Sequence, residues 1–214
     1  MKALLVGCFT FVILAQCQLS AAAETSALPY YNAENFTPHW LEDDAEELQG
    51  FHRIPDFSFT NQDGEAVTNQ DFDGKVYVAS FFFTSCPGIC PTLVTRLSVI
   101  QKTFLANDNV RILSHSAMPE VDQVPVLHRY ADRHKIRSEK WDLVTGPKAA
   151  IYSIAKQAYF ASEDMGEAKG DGDFLHTEKL LLIDKNKRIR GVYNGLSETA
   201  IVDLTTDINL LLQE

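Results

Sequence analysis

The residues from Lys75 to Phe83 (KVYVASFFF) form an unbroken run of apolar and β-favouring side chains without a clean period of two. Such a run fits a central strand covered on both faces, so the chain must supply layers above and below it. The run leads directly into Cys86-Pro87-Gly88-Ile89-Cys90. Pro91 then stands where the first turn of a helix tolerates proline, and Leu93, Leu97, Ile100 and Phe104 recur at helical spacing.

The remaining elements follow in alternation. Ile54 to Phe59 reads as a half-buried strand opening the domain, with turns at Asp63-Gly64 and Asp73-Gly74. Val110 to Leu113 is the next strand, and Asp122 to His134 a helix burying Leu127, Tyr130 and Ala131. Gly146-Pro147 starts a helix whose stripe is Ile151, Ile154, Ala155 and Ala158. Leu180 to Ile183 and Ile189 to Tyr193 pair across Asp184-Lys185-Asn186-Lys187, and Ile201, Leu204, Ile208 and Leu211 mark a closing helix. Crossovers first, then a hairpin and a helix, predict an α/β fold: a thioredoxin-like three-layer sandwich with an N-terminal arm. The arm, residues 24–50, carries Pro29, Tyr30, Tyr31, Pro38 and Trp40, then the acidic cluster Glu42, Asp43, Asp44, Glu46 and Glu47, and the domain proper spans 51–214.

Lys2, the apolar stretch Ala3 to Ala15 and Ala21-Ala22-Ala23 before Glu24 have the order of a secretory signal, residues 1–23. The apolar stretch is shorter than the ~18–20 residues that span a bilayer. Leu14-Ala15-Gln16-Cys17 offers a second reading, a lipoprotein leader ending at 16 with Cys17 as a membrane tether. Either way the expected location is exported, periplasmic or membrane-associated on the extracytoplasmic side, where disulfides persist. A formal charge of −10 leaves no basic surface to neutralise phosphates, so nucleic acid is excluded as the expected partner.

With Cys8 and Cys17 in the leader, the domain keeps one close cysteine pair, Cys86 and Cys90. At a strand-to-helix junction, unpaired N–H groups and the helix dipole favour thiolate, the form that reacts and binds metal. A spacing of four positions puts both sulfurs on one side of a helical turn, able to clasp a soft ion or close into a disulfide. As a purely structural bridge the pair would close too short a loop to contribute much.

Ser85-Cys86-Pro87-Gly88-Ile89-Cys90-Pro91, the later Ser116-Ala117-Met118-Pro119-Glu120, and His176 ahead of Leu181-Leu182-Ile183-Asp184 together resemble the Sco/SenC family from about Ile54 to the C-terminus. That family comprises thioredoxin-fold copper proteins that help assemble the binuclear copper centre of cytochrome c oxidase. The resemblance implies that Cys86, Cys90 and His176 bind one copper ion. It also implies a metallochaperone rather than an enzyme, with the oxidase's copper-bearing subunit or another copper acceptor as partner. Two thiolates favour Cu(I), and one added imidazole gives an S₂N site that also holds Cu(II). Zinc would want a fourth ligand, which Asp171 or Asp173 could supply.

Met118 stands where the family usually has an acid, and filling a gap in the core is its expected role. His115 is the reserve ligand candidate. His39, His52, His128 and His134 show no ligand spacing. The rival reading is a thiol-disulfide oxidoreductase in which Cys86 attacks and Cys90 resolves. No proline follows Pro147 to face such a dithiol. The Gly-rich acidic loop from Glu163 to Asp173 is expected to be a solvated excursion, or a lid carrying His176.

Overall fold

The computed structural model describes residues 27–161 and 177–214. The apolar run becomes strand β5 (Val76–Phe82), buried along its whole length. Its neighbours are β6 (Val110–Ser116), in parallel register with Val76 opposite Val110, and β8 (Lys179–Ile183), antiparallel with Ala79 opposite Leu181. Outward from these lie β7 (Trp141–Val144), parallel to β6, and β9 (Ile189–Asn194), antiparallel to β8. Two short strands from the N-terminal arm, β1 (Tyr30–Tyr31) and β2 (Pro38–His39), extend the sheet beyond β9, giving the order β2-β1-β9-β8-β5-β6-β7.

Side chains along β5 alternate between two faces. Val78, Ser80 and Phe82 face the layer built by α1 (Cys90–Thr103), α2 (Val124–His134) and α4 (Glu198–Gln213), where Phe82 meets Tyr130 at 5.6 Å between ring centroids. The expected stripes are the buried ones: Leu93, Leu97 and Ile100 on α1, and Ile201, Leu204, Ile208 and Leu211 on α4. Gly195 lets α1 approach the hairpin, since a Cβ there would stand 2.5 Å from a Leu93 methyl and 2.9 Å from the Glu178 carbonyl oxygen. Tyr77 and Phe81 face the opposite layer, formed by α3 (Lys148–Gln157) with Tyr159 just beyond it and the hairpin of β3 (Ser58–Thr60) and β4 (Ala66–Thr68). These three layers are the thioredoxin-like sandwich. Among the described residues no helix is long and apolar enough to cross a membrane.

The structure departs from the sequence reading at several elements. Strand pairing near the domain's start begins at Ser58 rather than Ile54, because the residues before it have no partner strand in the β3–β4 hairpin. Helix α2 begins at Val124, since the turn before it sends the Asp122 side chain inward. The arm's Leu28, Tyr30 and Leu48 are buried. Arg190, 2 % exposed, holds the arm in place by donating to the Leu28 and Pro29 carbonyls and lying 4.0 Å from the centre of the Tyr30 ring.

His115 is fully buried in a cage of Phe57, Phe59, Phe81 and Tyr159, on the face away from α1. Burial lowers its pKa from 6.5 to about 3, offset only in part by the Ser80 backbone, because imidazolium has no solvation in this cage. The unfolded chain therefore takes up the proton first as pH falls. Stability contributed by neutral His115 is complete above about pH 6.5 and is lost between there and pH 3, at about 1.4 kcal/mol per unit. Replacing His115 by Phe should flatten the acid limb of the stability profile. In urea titrations at pH 7 and 4.5, the parent's loss should exceed the variant's by about 2–3 kcal/mol, and equal losses would show that His115 is not held neutral.

Candidate functional site

The parallel strands β5 and β6 end on the same side of the sheet, and the chain leaves both of them there. After Phe82 it turns, with the Cys86 amide donating to the Phe83 carbonyl at 3.3 Å, and runs through Pro87, Gly88 and Ile89 into α1. After Ser116 it makes a second turn, in which the Val121 and Asp122 amides donate to the Met118 carbonyl. The two segments are stitched together by the Ala117 amide on the Phe82 carbonyl at 2.7 Å. A parallel sheet concentrates its loops at this edge, which is where α/β proteins hold ligands.

Cys86 and Cys90 are free thiols, the first half-buried and the second 4 % exposed. Helix α1 has no side-chain oxygen cap at Ile89. Burial works to raise the Cys86 pKa, but the Cys90 thiol and the backbone N–H groups of Cys90, Gly88 and Ile89 outweigh it and bring the pKa below its ordinary value. Cys90 goes the other way. Burial, followed by its hydrogen bond to Cys86, pushes its thiol up to about 12. Of the two, the outer sulfur is therefore the more readily ionised.

The surroundings of the pair come from three elements. Asp122, fully buried, accepts from the Thr84 hydroxyl at 2.5 Å and from the Ser116 hydroxyl at 2.6 Å. The Tyr130 phenol is raised by burial and then by the negative charge of Cys90, Cys86 and Asp122. Met118 packs against the core beside this edge, as its sequence position suggested, and Tyr152 donates to the Ala117 carbonyl at 3.0 Å. The sequence assigns none of Asp122, Thr84 and Tyr130 a place at the site: Asp122 reads only as the start of a helix and Tyr130 only as one of its buried residues. Only the meeting of two loop segments 38 positions apart makes Asp122 a partner of Thr84.

Of the expected ligand set, the structure brings Cys86 and Cys90 together, while His176, Asp171 and Asp173 lie outside the described residues, as does the loop from Glu163 to Asp173. Among the described residues no group of three His, Cys, Asp or Glu could hold a metal ion. His115, the reserve candidate, is caged on the other face of the sheet and is separated from the thiols by β5 and β6.

The SCO1/SenC family model matches residues 45–211. A SCO1 protein homolog of Bacillus subtilis is 30% identical over 159 residues, covering 73% of this chain and 81% of the relative. The structure of BsSco, described as a member of the Sco family of cytochrome c oxidase assembly proteins with a disulfide switch, superposes with a TM-score of 0.65 at 29% identity, over 76% of this chain and 95% of that one. Bradyrhizobium japonicum ScoI with copper bound superposes with a TM-score of 0.58 at 25% identity, over 72% of this chain and 98% of that one.

Proposed function

The chain belongs to the SCO1/SenC family, and on that premise we propose that it is an exported copper chaperone, delivering copper to the binuclear centre of cytochrome c oxidase through Cys86, Cys90 and His176. The observation that carries this reading is the pair of free thiols at the loop edge of the sheet, Cys86 in the loop that enters α1 and Cys90 at its first residue, the outer thiol being the more acidic. Two sulfurs so placed suit a soft monovalent ion. Copper enters as cargo: Cu(I) takes the place of the proton on Cys90, which leaves to solvent, so the net charge of the pair is unchanged while a soft ion joins the two sulfurs. His176, the imidazole expected from the sequence, would add the harder donor that Cu(II) prefers. The copper-bound ScoI of Bradyrhizobium japonicum supports copper as the ligand, and BsSco supports an assembly role. The partner would be the oxidase subunit that carries the copper site. The leader expected over residues 1–23 supports a periplasmic or membrane-associated location.

A second reading has its own support. The opposed shifts of the two thiols suit an attacking Cys86 and a resolving Cys90. The Cys86 thiolate would attack a target disulfide and release one target thiol. The Cys90 thiol would then lose its proton and displace the second, so the target is reduced as a Cys86–Cys90 disulfide forms.

Metal analysis of the reduced chain, loaded under anaerobic conditions, tests the first reading. One equivalent of copper is the expected result, and none under these conditions would leave the thiol reductase. Replacing His176 by Ala should weaken Cu(II) at least about tenfold while changing Cu(I) by less, since two thiolates alone hold Cu(I). Competition titrations in both oxidation states, with circular dichroism as a fold check, measure the split. Unchanged Cu(II) affinity in a folded variant would remove His176 from the site.

A further inference from the structure

A buried carboxylate stands directly behind the loop that carries the two cysteines. Asp122 has no exposed surface, and its partners among the described residues are neutral donors rather than a cation. Its oxygens accept from the Thr84 hydroxyl at 2.5 Å, from the Thr84 amide at 3.2 and 3.3 Å, and from the Ser116 hydroxyl at 2.6 Å. The Ser116 hydroxyl in turn accepts from the Met118 amide at 3.1 Å, and the Asp122 amide donates to the Met118 carbonyl at 2.8 Å. One carboxylate therefore closes a circuit through the ends of β5 and β6 and the turn before α2. Thr84 lies two residues before Cys86, so the circuit fixes where the cysteine loop leaves the sheet.

Burying a charge without a counter-ion is costly, and it persists where hydrogen bonds replace its hydration. The core gains nothing from a carboxylate at this place that an apolar side chain would not give. The loop gains a fixed origin. We propose that Asp122 is a positioning residue that holds Cys86 at a set distance from Cys90 through Thr84. This rests on the reading of the pair as the working site and adds to it the residue that preorganises the two sulfurs.

The closeness of two thiols can be measured without metal. The reduced pair and glutathione disulfide exchange to give the Cys86–Cys90 disulfide and two molecules of reduced glutathione. One S–S bond breaks and one forms, and the two protons from the cysteine thiols pass to the glutathione thiolates. The equilibrium constant reports the effective concentration of one cysteine at the other.

Thr84→Val removes only the hydroxyl donor, at nearly constant volume and unchanged charge, and Asp122→Asn removes the charge and one acceptor. Each should lower the constant about tenfold, or about 30 mV for this two-electron couple. The double variant should also fall about tenfold, because both substitutions break the same circuit. Leu211→Ala, a core truncation at the far end of α4, should lower stability and leave the constant alone. If Asp122→Asn fails to fold, Thr84→Val carries the test by itself. Parental exchange in folded Thr84→Val, or an additive fall of about a hundredfold in the double variant, would overturn the proposal. A Cu(I) competition titration on the same proteins separates the two readings. A parent that takes no copper while Thr84→Val still lowers the constant would sink the copper reading and support the role of Asp122. A copper-binding parent with unchanged exchange in both variants would do the reverse.

Discussion

Serine in place of Cys86 or Cys90 is expected to abolish Cu(I) binding, lowering affinity by well over about a hundredfold, the range for disturbing a group that merely supports a ligand. No other cysteine is present between residues 27 and 214 to substitute for the missing sulfur. A Cys86–Cys90 disulfide should take no copper for the same reason, having no thiolate to offer. The two variants should nevertheless differ. In Cys90→Ser the outer sulfur keeps the backbone N–H groups of Gly88, Ile89 and residue 90, so Cys86 should still react readily with iodoacetamide near neutral pH. In Cys86→Ser the remaining thiol stays buried. Burial is the larger cause of the rise to about 12, so alkylation of Cys90 should be slow. Competition against a chromophoric Cu(I) chelator, with alkylation rates on the same samples, checks both statements. Parental copper affinity in either variant would refute the site.

Replacing Arg190 by Met should cost about 3–5 kcal/mol of stability, the range for removing one member of a buried ion cluster. Its guanidinium pairs with Glu214 at 2.7 and 3.0 Å and with Asp184 at 3.4 Å, and also donates to the Leu28 and Pro29 carbonyls. Methionine would fill much of the space but leave the buried Asp184 carboxylate short of a donor and the two carbonyls unpaired. Because the arm is held partly by these bonds, hydrogen exchange at Tyr30 and Tyr31 should quicken more than exchange in β5. Urea unfolding with amide exchange measures both effects, and a loss below about 1 kcal/mol would mean that the cluster is neutral for stability.

The elements that the sequence revealed are those in which burial leaves a period. An apolar run, the α1 and α4 stripes and the β8–β9 hairpin each encode their environment locally, and the structure has them within a residue or two. Strands β1 and β2 were hidden because two-residue strands have no period, and their place depends on Arg190, about 160 positions away. Strand β7, Trp141–Val144, is too short to stand out among its flanking polar residues. The cysteine pair was legible because thiol chemistry belongs to the residue type, although only Cys90 lies in the helix and Cys86 stands in the loop that enters it rather than on the same helical turn. Asp122 was not, since an acid before a helix is ordinarily a solvated residue, and only the meeting of two loops turns it inward. His115 was ambiguous for a related reason: its neighbours come from β3, β5 and the residues after α3.

The strand order also sets a timetable for the thiols. Tyr31 pairs with Ile189, 158 positions later, and β5 needs β8 beside it before its second edge is closed. A chain delivered from its N-terminus therefore presents Cys86 and Cys90 roughly a hundred residues before the hairpin and final helix that complete the sheet and its helical layer have arrived. Contacts this distant along the chain form slowly. During that interval the two cysteines are ordinary, equally accessible thiols, open to whatever oxidant or metal shares the compartment. Their division into an outer reactive sulfur and an inner reluctant one is acquired only when folding is complete.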